Sequence, residues 1–190
     1  MTQFSLFDSP LELAHQFWQK LLKSDDHVID ATCGNGYDSL KVLSLIPQGF
    51  LYCLDIQELA CYNTNTRLEA HFSNFKTFCQ SHETFPDCIS PSSIKLIIYN
   101  LGYLPKGDKN LTTLTETTLK SLNHALTLLI NGGALSIMCY SGHEEGFIEQ
   151  EHVLKWSSEL DKTQYLVTIH KILNRDKAPA LCLIQKQLKS

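Results

Sequence analysis

Asp30-Ala31-Thr32-Cys33-Gly34-Asn35-Gly36 follows the apolar pair Val28-Ile29 and leads into a helix-like segment that begins near Tyr37. Two glycines allow a tight turn and close approach of the backbone to a ligand, and the first turn of the following helix offers N–H groups with no partner inside the helix. The next apolar run, Gly49 to Leu54, ends at Asp55, 19 residues past Gly36. That is close to the spacing of ~20 expected for a carboxylate that binds a ribose. A lone Gly-x-Gly is also an ordinary strand-to-helix turn; flanked by two acids at these distances it reads as a nucleotide-cofactor loop. A dinucleotide fingerprint requires Gly or Ala three residues after the second glycine, where this chain has Ser39.

An acid at the strand end, ahead of the glycines, is similar to the first motif of class I S-adenosylmethionine (SAM) methyltransferases. There Asp30 could attract the cationic amino-acid end of the cofactor, directly or through water. The order of elements agrees. Leu11, Leu13, Ala14, Phe17, Trp18, Leu21 and Leu22 recur at helical spacing over 10–23, with Ser9 as N-cap and Pro10 in the first turn. Strands are expected near 27–31, 49–55, 75–79, 94–99 and 133–140, with helices near 37–46, 57–71, 112–130 and 144–160. Such alternation implies right-handed crossovers and a parallel sheet covered on both faces. The runs 164–173 and 179–186 are too close for a helical crossover and should form an antiparallel hairpin. The expectation is one α/β domain over 1–190, a Rossmann-like, mostly parallel seven-stranded sheet with an antiparallel C-terminal hairpin. Helix 112–130 reads as architecture: Leu114, Thr118, Leu122, Ala125 and Leu129 form a core stripe, and Asn131-Gly132-Gly133 a helix stop.

Composition narrows the classes. With 190 residues, 43% of them hydrophobic, the chain can bury a substantial core. Neither a long apolar run nor a signal-like start is evident, so a cytoplasmic location and no membrane partner are expected. Seven scattered cysteines without a Cys-x-x-Cys pair read as thiols in a reducing compartment. No metal is expected, and His143-Glu144-Glu145 reads as a loop before an acidic helix start. The net charge of −4 means that RNA would have to be held by a local patch, for which Lys106, Lys109, Lys171, Arg175 and Lys177 are candidates.

Ligands of open parallel sheets bind beyond the carboxyl ends of the strands. The loops there carry Asp55-Ile56-Gln57, Ser81-His82, Asn100-Leu101-Gly102-Tyr103 and Tyr140-Ser141-Gly142-His143. The Asn-x-x-Tyr turn is similar in position to the Asn-Pro-Pro-Tyr motif of amino-group methyltransferases. An attacking amine must be neutral and aimed at the sulfonium methyl; an Asn side-chain oxygen and a backbone carbonyl can fix its N–H bonds, and Tyr103 can stack on a flat base. His143, on the substrate side, and His82, on the cofactor side, are candidate proton acceptors.

These segments, together with Asn100 to Lys109, Glu116-Thr117-Thr118 and Tyr140 to Gly146, closely resemble the rRNA methylase family over about residues 9–187. Members of that family methylate the aminomethyl group of 5-aminomethyl-2-thiouridine at the tRNA wobble position. The resemblance implies a SAM-dependent N-methyltransferase acting on a tRNA anticodon stem-loop, with a homodimer compatible. The cofactor set is Asp30, Thr32, Gly34, Asn35, Gly36, Asp38, Asp55, Ile56, Gln57, Ser81, His82, Asn100 and Leu101. Asn100, Tyr103 and His143 are the catalytic candidates, and Tyr103, Lys106, Asp108, Lys109, Tyr140, His143 and Arg175 face the substrate. Tyr37, where the family has His, and the altered turn 174–179 depart from its pattern. The alternatives are a methyltransferase for rRNA or a small amine, or a non-catalytic SAM-binding accessory subunit.

Overall fold

The computed structural model describes residues 9–102, 112–175 and 177–188. Helix α1 (Pro10–Leu21) starts where expected: Ser9 is extended and its side chain accepts from the Glu12 N–H at 3.2 Å, with Pro10 in the first turn. The chain then alternates β1 (His27–Asp30), α2 (Tyr37–Leu45), β2 (Phe50–Asp55), α3 (Glu58–Glu69), β3 (Phe75–Cys79), β4 (Ile94–Leu101), α4 (Thr115–Leu128), β5 (Leu129–Cys139), α5 (Glu144–Ser158), β6 (Tyr165–His170) and β7 (Ala180–Lys186).

The seven strands form one sheet in the order β3-β2-β1-β4-β5-β7-β6. Strands β1 to β5 pair in parallel; β7 is antiparallel to both β5 and β6. The expected hairpin is therefore present, and β7 threads back between β5 and β6. Two apolar layers sandwich the sheet. Ala14 and Trp18 of α1 with Val42, Leu43 and Ile46 cover one face, over Val28, Leu51, Leu96 and Ile98. Leu122, Ala125 and Leu128 of α4 with Val153 of α5 cover the other, over Ile29, Leu54, Ile97 and Ile137. Continuous apolar runs in β1 and β4 follow from burial on both sides.

Two expectations are corrected here. Asn131-Gly132-Gly133 is no helix stop. Helix α4 ends at Leu128, and Leu129 enters β5 directly in extended conformation. The three residues lie inside that strand, where the register shifts between the pairs Ile94↔Leu129 and Leu96↔Ala134. Gly132 there has φ +72°, which suits glycine, and a Cβ on Gly133 would meet three carbonyl oxygens, those of Ile130, Lys95 and Ile94, at 3.0–3.1 Å. Leu114, expected in the core stripe, precedes the helix as its N-cap and is exposed.

Candidate active site

From β1 the chain winds outward through β2 to β3, then returns to β4 on the other side of β1, so the crevice between β1 and β4 is the point where strand order reverses. The glycine loop leaves β1 here, and Asn100, expected in a turn after the strand, is instead the penultimate residue of β4, paired with Met138 of β5. They are joined directly: the Asn100 backbone N–H donates to Thr32 Oγ1 at 2.7 Å.

Gly34 (φ +53°) and Gly36 (φ +75°) supply left-handed turns, and Gly36 caps α2 with no side chain of its own. A Cβ on Gly36 would lie 3.0 Å from Thr64 Cα, so α3 is packed against the loop backbone. The loop carbonyls face that helix: Thr64 Oγ1 donates to Gly34 O at 3.0 Å and Arg67 Nε to Asn35 O at 2.7 Å, while Asn63 donates to Asn35 Oδ1. On the other side of the loop the Gly34 N–H turns toward Asp55. Its Oδ2 accepts from Gly34 N and its Oδ1 from Gln57 N, each at 3.0 Å. Burial pushes the Asp55 carboxyl up, against the pull of these bonds. Ile56, 66% exposed, presents an apolar surface just beyond.

Asp30 is fully buried. Its Oδ2 accepts from Ser39 Oγ at 2.6 Å and its Oδ1 from Thr32 N at 3.3 Å. Burial, with some help from Asp38, raises its pKa to about 7. Asp30 thus shapes the loop from beneath, and Ser39, which breaks the dinucleotide fingerprint, is its hydrogen-bond donor. Asp38 stands closer to the opening. Its Oδ1 meets His15 Nε2 at 2.7 Å and its Oδ2 accepts from Asn100 Nδ2 at 2.8 Å. A carboxylate accepts only, so the Asn100 amide nitrogen must face it, and Oδ1 of Asn100 is the atom turned away.

The two histidines read as proton acceptors are otherwise engaged. His82 is buried edge-on against Tyr99 and lies 3.3 Å from Thr118 Oγ1; burial lowers its pKa to about 4. It belongs to an internal network, in which Thr118 and Thr113 both donate to the buried Glu149 at 2.6 Å. His143 caps α5, its Nδ1 accepting from Gly146 N at 3.0 Å. A neutral imidazole capping through Nδ1 carries its proton on Nε2, so its basic lone pair is committed to the helix. Ser81 Oγ accepts from Glu83 N within its own turn, and the Leu101 side chain is buried. Tyr140 borders the opening, its hydroxyl pKa raised by burial and by Asp38. Ser141 to Glu144, Phe147 and Lys177 line a shallow depression, and Arg175 is exposed in the same β6–β7 turn as Lys177. Tyr103, Lys106, Asp108 and Lys109 lie outside the described residues. Sequence reasoning missed Thr64 and Arg67, which reach the loop from a helix read only as a span, and His15, which reaches Asp38 from a helix read for its cap and apolar stripe.

Asp30, Asp55 and Asn100 gather at the switch point, where open α/β sheets bind nucleotide-type ligands. Residues 51–186 match the family described as "Putative rRNA methylase". The chain belongs to this family. It is 34% identical over 188 residues to an Arabidopsis thaliana chloroplastic tRNA (mnm5s2U34)-methyltransferase, covering 93% of this chain and 69% of the relative. It is similar to a Clostridium thermocellum structure described as a "putative rRNA-methylase", at 32% identity and TM-score 0.91 over 96% of this chain and 100% of the other. A Streptococcus mutans structure, a "putative methyltransferase" in complex with SAH, aligns at 32% identity and TM-score 0.86, over 95% and 99%. Among the described residues no helix is long and apolar enough to cross a membrane, and no group of His, Cys, Asp and Glu could hold a metal ion.

Proposed function

We propose that this SAM-dependent methyltransferase, acting as one catalytic domain, methylates the aminomethyl group of 5-aminomethyl-(2-thio)uridine at the wobble position of tRNA. The observation that carries the reading is Asn100: its amide nitrogen is held by Asp38, which leaves Oδ1 as an acceptor at the switch point. The family relative named as a tRNA (mnm5s2U34)-methyltransferase supports the choice of amine.

Under this reading Asp55 accepts from ribose hydroxyls with the lone pairs left after Gly34 and Gln57, and Ile56 covers the base. Gly34, Asn35 and Gly36 let the loop backbone approach, while Asp30, Thr32 and Asp38 hold the amino-acid side. Bound SAM supplies a methyl group on a positively charged sulfur, ready for in-line displacement. Asn100 Oδ1 accepts an N–H of the neutral amine and so points the nitrogen lone pair away from itself, along the line of attack. The product leaves as a secondary amine, and the displaced proton passes to solvent, since His82 is buried and the His143 lone pair caps α5. Tyr140, Arg175, Lys177 and Phe147 are assigned to the RNA, with Tyr103, Lys106, Asp108 and Lys109 of the segment that follows Gly102. The same assignment makes RNA binding local and moderately salt-dependent, as a net charge of −4 requires.

The test is transfer of labelled methyl from SAM to bulk tRNA lacking the modification, followed by nucleoside mass spectrometry. Methylated aminomethyluridine in tRNA, and its loss in Asn100→Ala with SAM binding retained, is the expected result. Label in rRNA alone would overturn the substrate assignment, and label in neither would leave a SAM-binding protein without this activity.

A further inference from the structure

The amide of Asn100 is aimed by a chain of contacts that begins on α1. Its backbone is fixed by the bond to Thr32 Oγ1, so the remaining freedom is in the side-chain torsions. The terminal torsion of Asn is soft and nearly two-fold, and a half-turn would present N–H where the oxygen stands. Among the described residues Asp38 Oδ2 is what discriminates the two orientations, and the Asp38 carboxylate has a soft terminal torsion of its own. His15 Nε2, 2.7 Å from the other carboxylate oxygen, removes that freedom.

His15 comes from α1, far from the glycine loop in sequence. Its ring lies against Trp18 with centroids 4.8 Å apart and the planes tilted by 53°. Trp18 is itself buried and its indole N–H donates to Ser136 Oγ of β5 at 3.0 Å. The imidazole is therefore held in place before any ligand arrives. A helix that only covered the sheet would satisfy its buried stripe with Ala14 and Trp18; it would have no need of a donor aimed at Asp38.

We propose that His15 is a positioning residue for methyl transfer, acting through Asp38 to hold Asn100 Oδ1 toward the amine. This rests on the assignment of Asn100 to the amine. His15 touches neither reactant; its contribution is to the fraction of molecules in which Asn100 presents oxygen.

The experiment compares His15→Gln, His15→Asn and His15→Ala. A Gln amide nitrogen occupies about the position of imidazole Nε2 and can donate to Asp38, whereas the shorter Asn cannot reach it. Single-turnover rates at saturating SAM should fall on the order of 10- to 100-fold in H15A and H15N, the scale of a misaligned reactant. H15Q should recover most of the loss. SAM affinity should change little in all three. The Asn100 side-chain amide protons, followed by NMR without cofactor, should exchange slowly in wild type and H15Q and rapidly in the other two. A wild-type rate in Asn100→Ala would defeat the amine assignment itself. A slow N100A that H15A slows further by its full factor would instead place His15 outside the Asn100 chain and overturn the proposal. Equal losses in H15Q and H15A would also overturn it, since they would assign the effect to packing on Trp18. Should H15A not fold, the Gln and Asn pair carries the same comparison.

Discussion

Replacing Asp30 with Asn should stabilise the protein at neutral pH, although the residue sits at the centre of the most informative motif in the chain. The carboxyl is fully buried, and among the described residues its close donors are Ser39 Oγ and Thr32 N. Below about pH 4 it is protonated in both the folded and the unfolded chain and has no effect on the balance between them. Above the ordinary value of 3.8 the unfolded chain releases the proton, while the folded chain keeps it until about pH 7. Stability is thus lost as pH rises through this window and is level above it. At about 1.4 kcal/mol per pH unit, the interval amounts to roughly 4 kcal/mol. Asn keeps an oxygen for Thr32 N, and the Ser39 hydroxyl can rotate to accept from the new amide. Urea denaturation of wild type and D30N, from about pH 4 to 8, should show the variant gaining relative stability across the window, up to this order. Under the proposed cofactor assignment, calorimetry on the same samples should show weaker SAM binding above pH 7, because the negative charge beneath the glycine loop is gone. A stability difference that does not vary with pH would refute the assignment of a proton to Asp30.

Asp55→Ala removes the acceptor for Gly34 N and Gln57 N and, under the proposed assignment, for the ribose; at ~1.5–3 kcal/mol per charged bond, calorimetric SAM affinity should fall by one to two orders of magnitude. Gly36→Ala forces a side chain into φ +75° against Thr64 Cα and should cost at least ~1–2 kcal/mol in denaturant unfolding, with a wild-type midpoint arguing against a rigid loop. His143→Ala should lose ~0.5–2 kcal/mol of stability with the α5 cap, and any rate defect should be the same at neutral and mildly alkaline pH. Rescue of that defect by alkali would instead restore His143 as the proton acceptor.

The element order and the class of sheet were legible in the sequence because they follow from local pattern, and the candidate site was placed by the same kind of pattern. Alternating apolar runs and amphipathic helices leave few topologies, and a glycine loop with acids at fixed spacing marks the strand end where a cofactor binds. Ser9 and Pro10 started α1 where local chemistry put it. Tertiary structure alone decided what the polar groups do. Asp30 looks like an open acid in sequence, but the Ser39 hydroxyl and complete burial make it an internal one. His82 and His143 look like bases, yet burial lowers one and a helix terminus occupies the other. Asn131-Gly132-Gly133 reads as a stop because its glycines favour turns; the register shift against β4 absorbs them in a strand. His15 left no mark at all, since its partner is 23 residues away and the cap and apolar face that reveal α1 say nothing of its polar side. Periodicity reports which side of an element is buried. Which polar atoms meet depends on how the elements cross, and that is set by packing between residues distant in the chain.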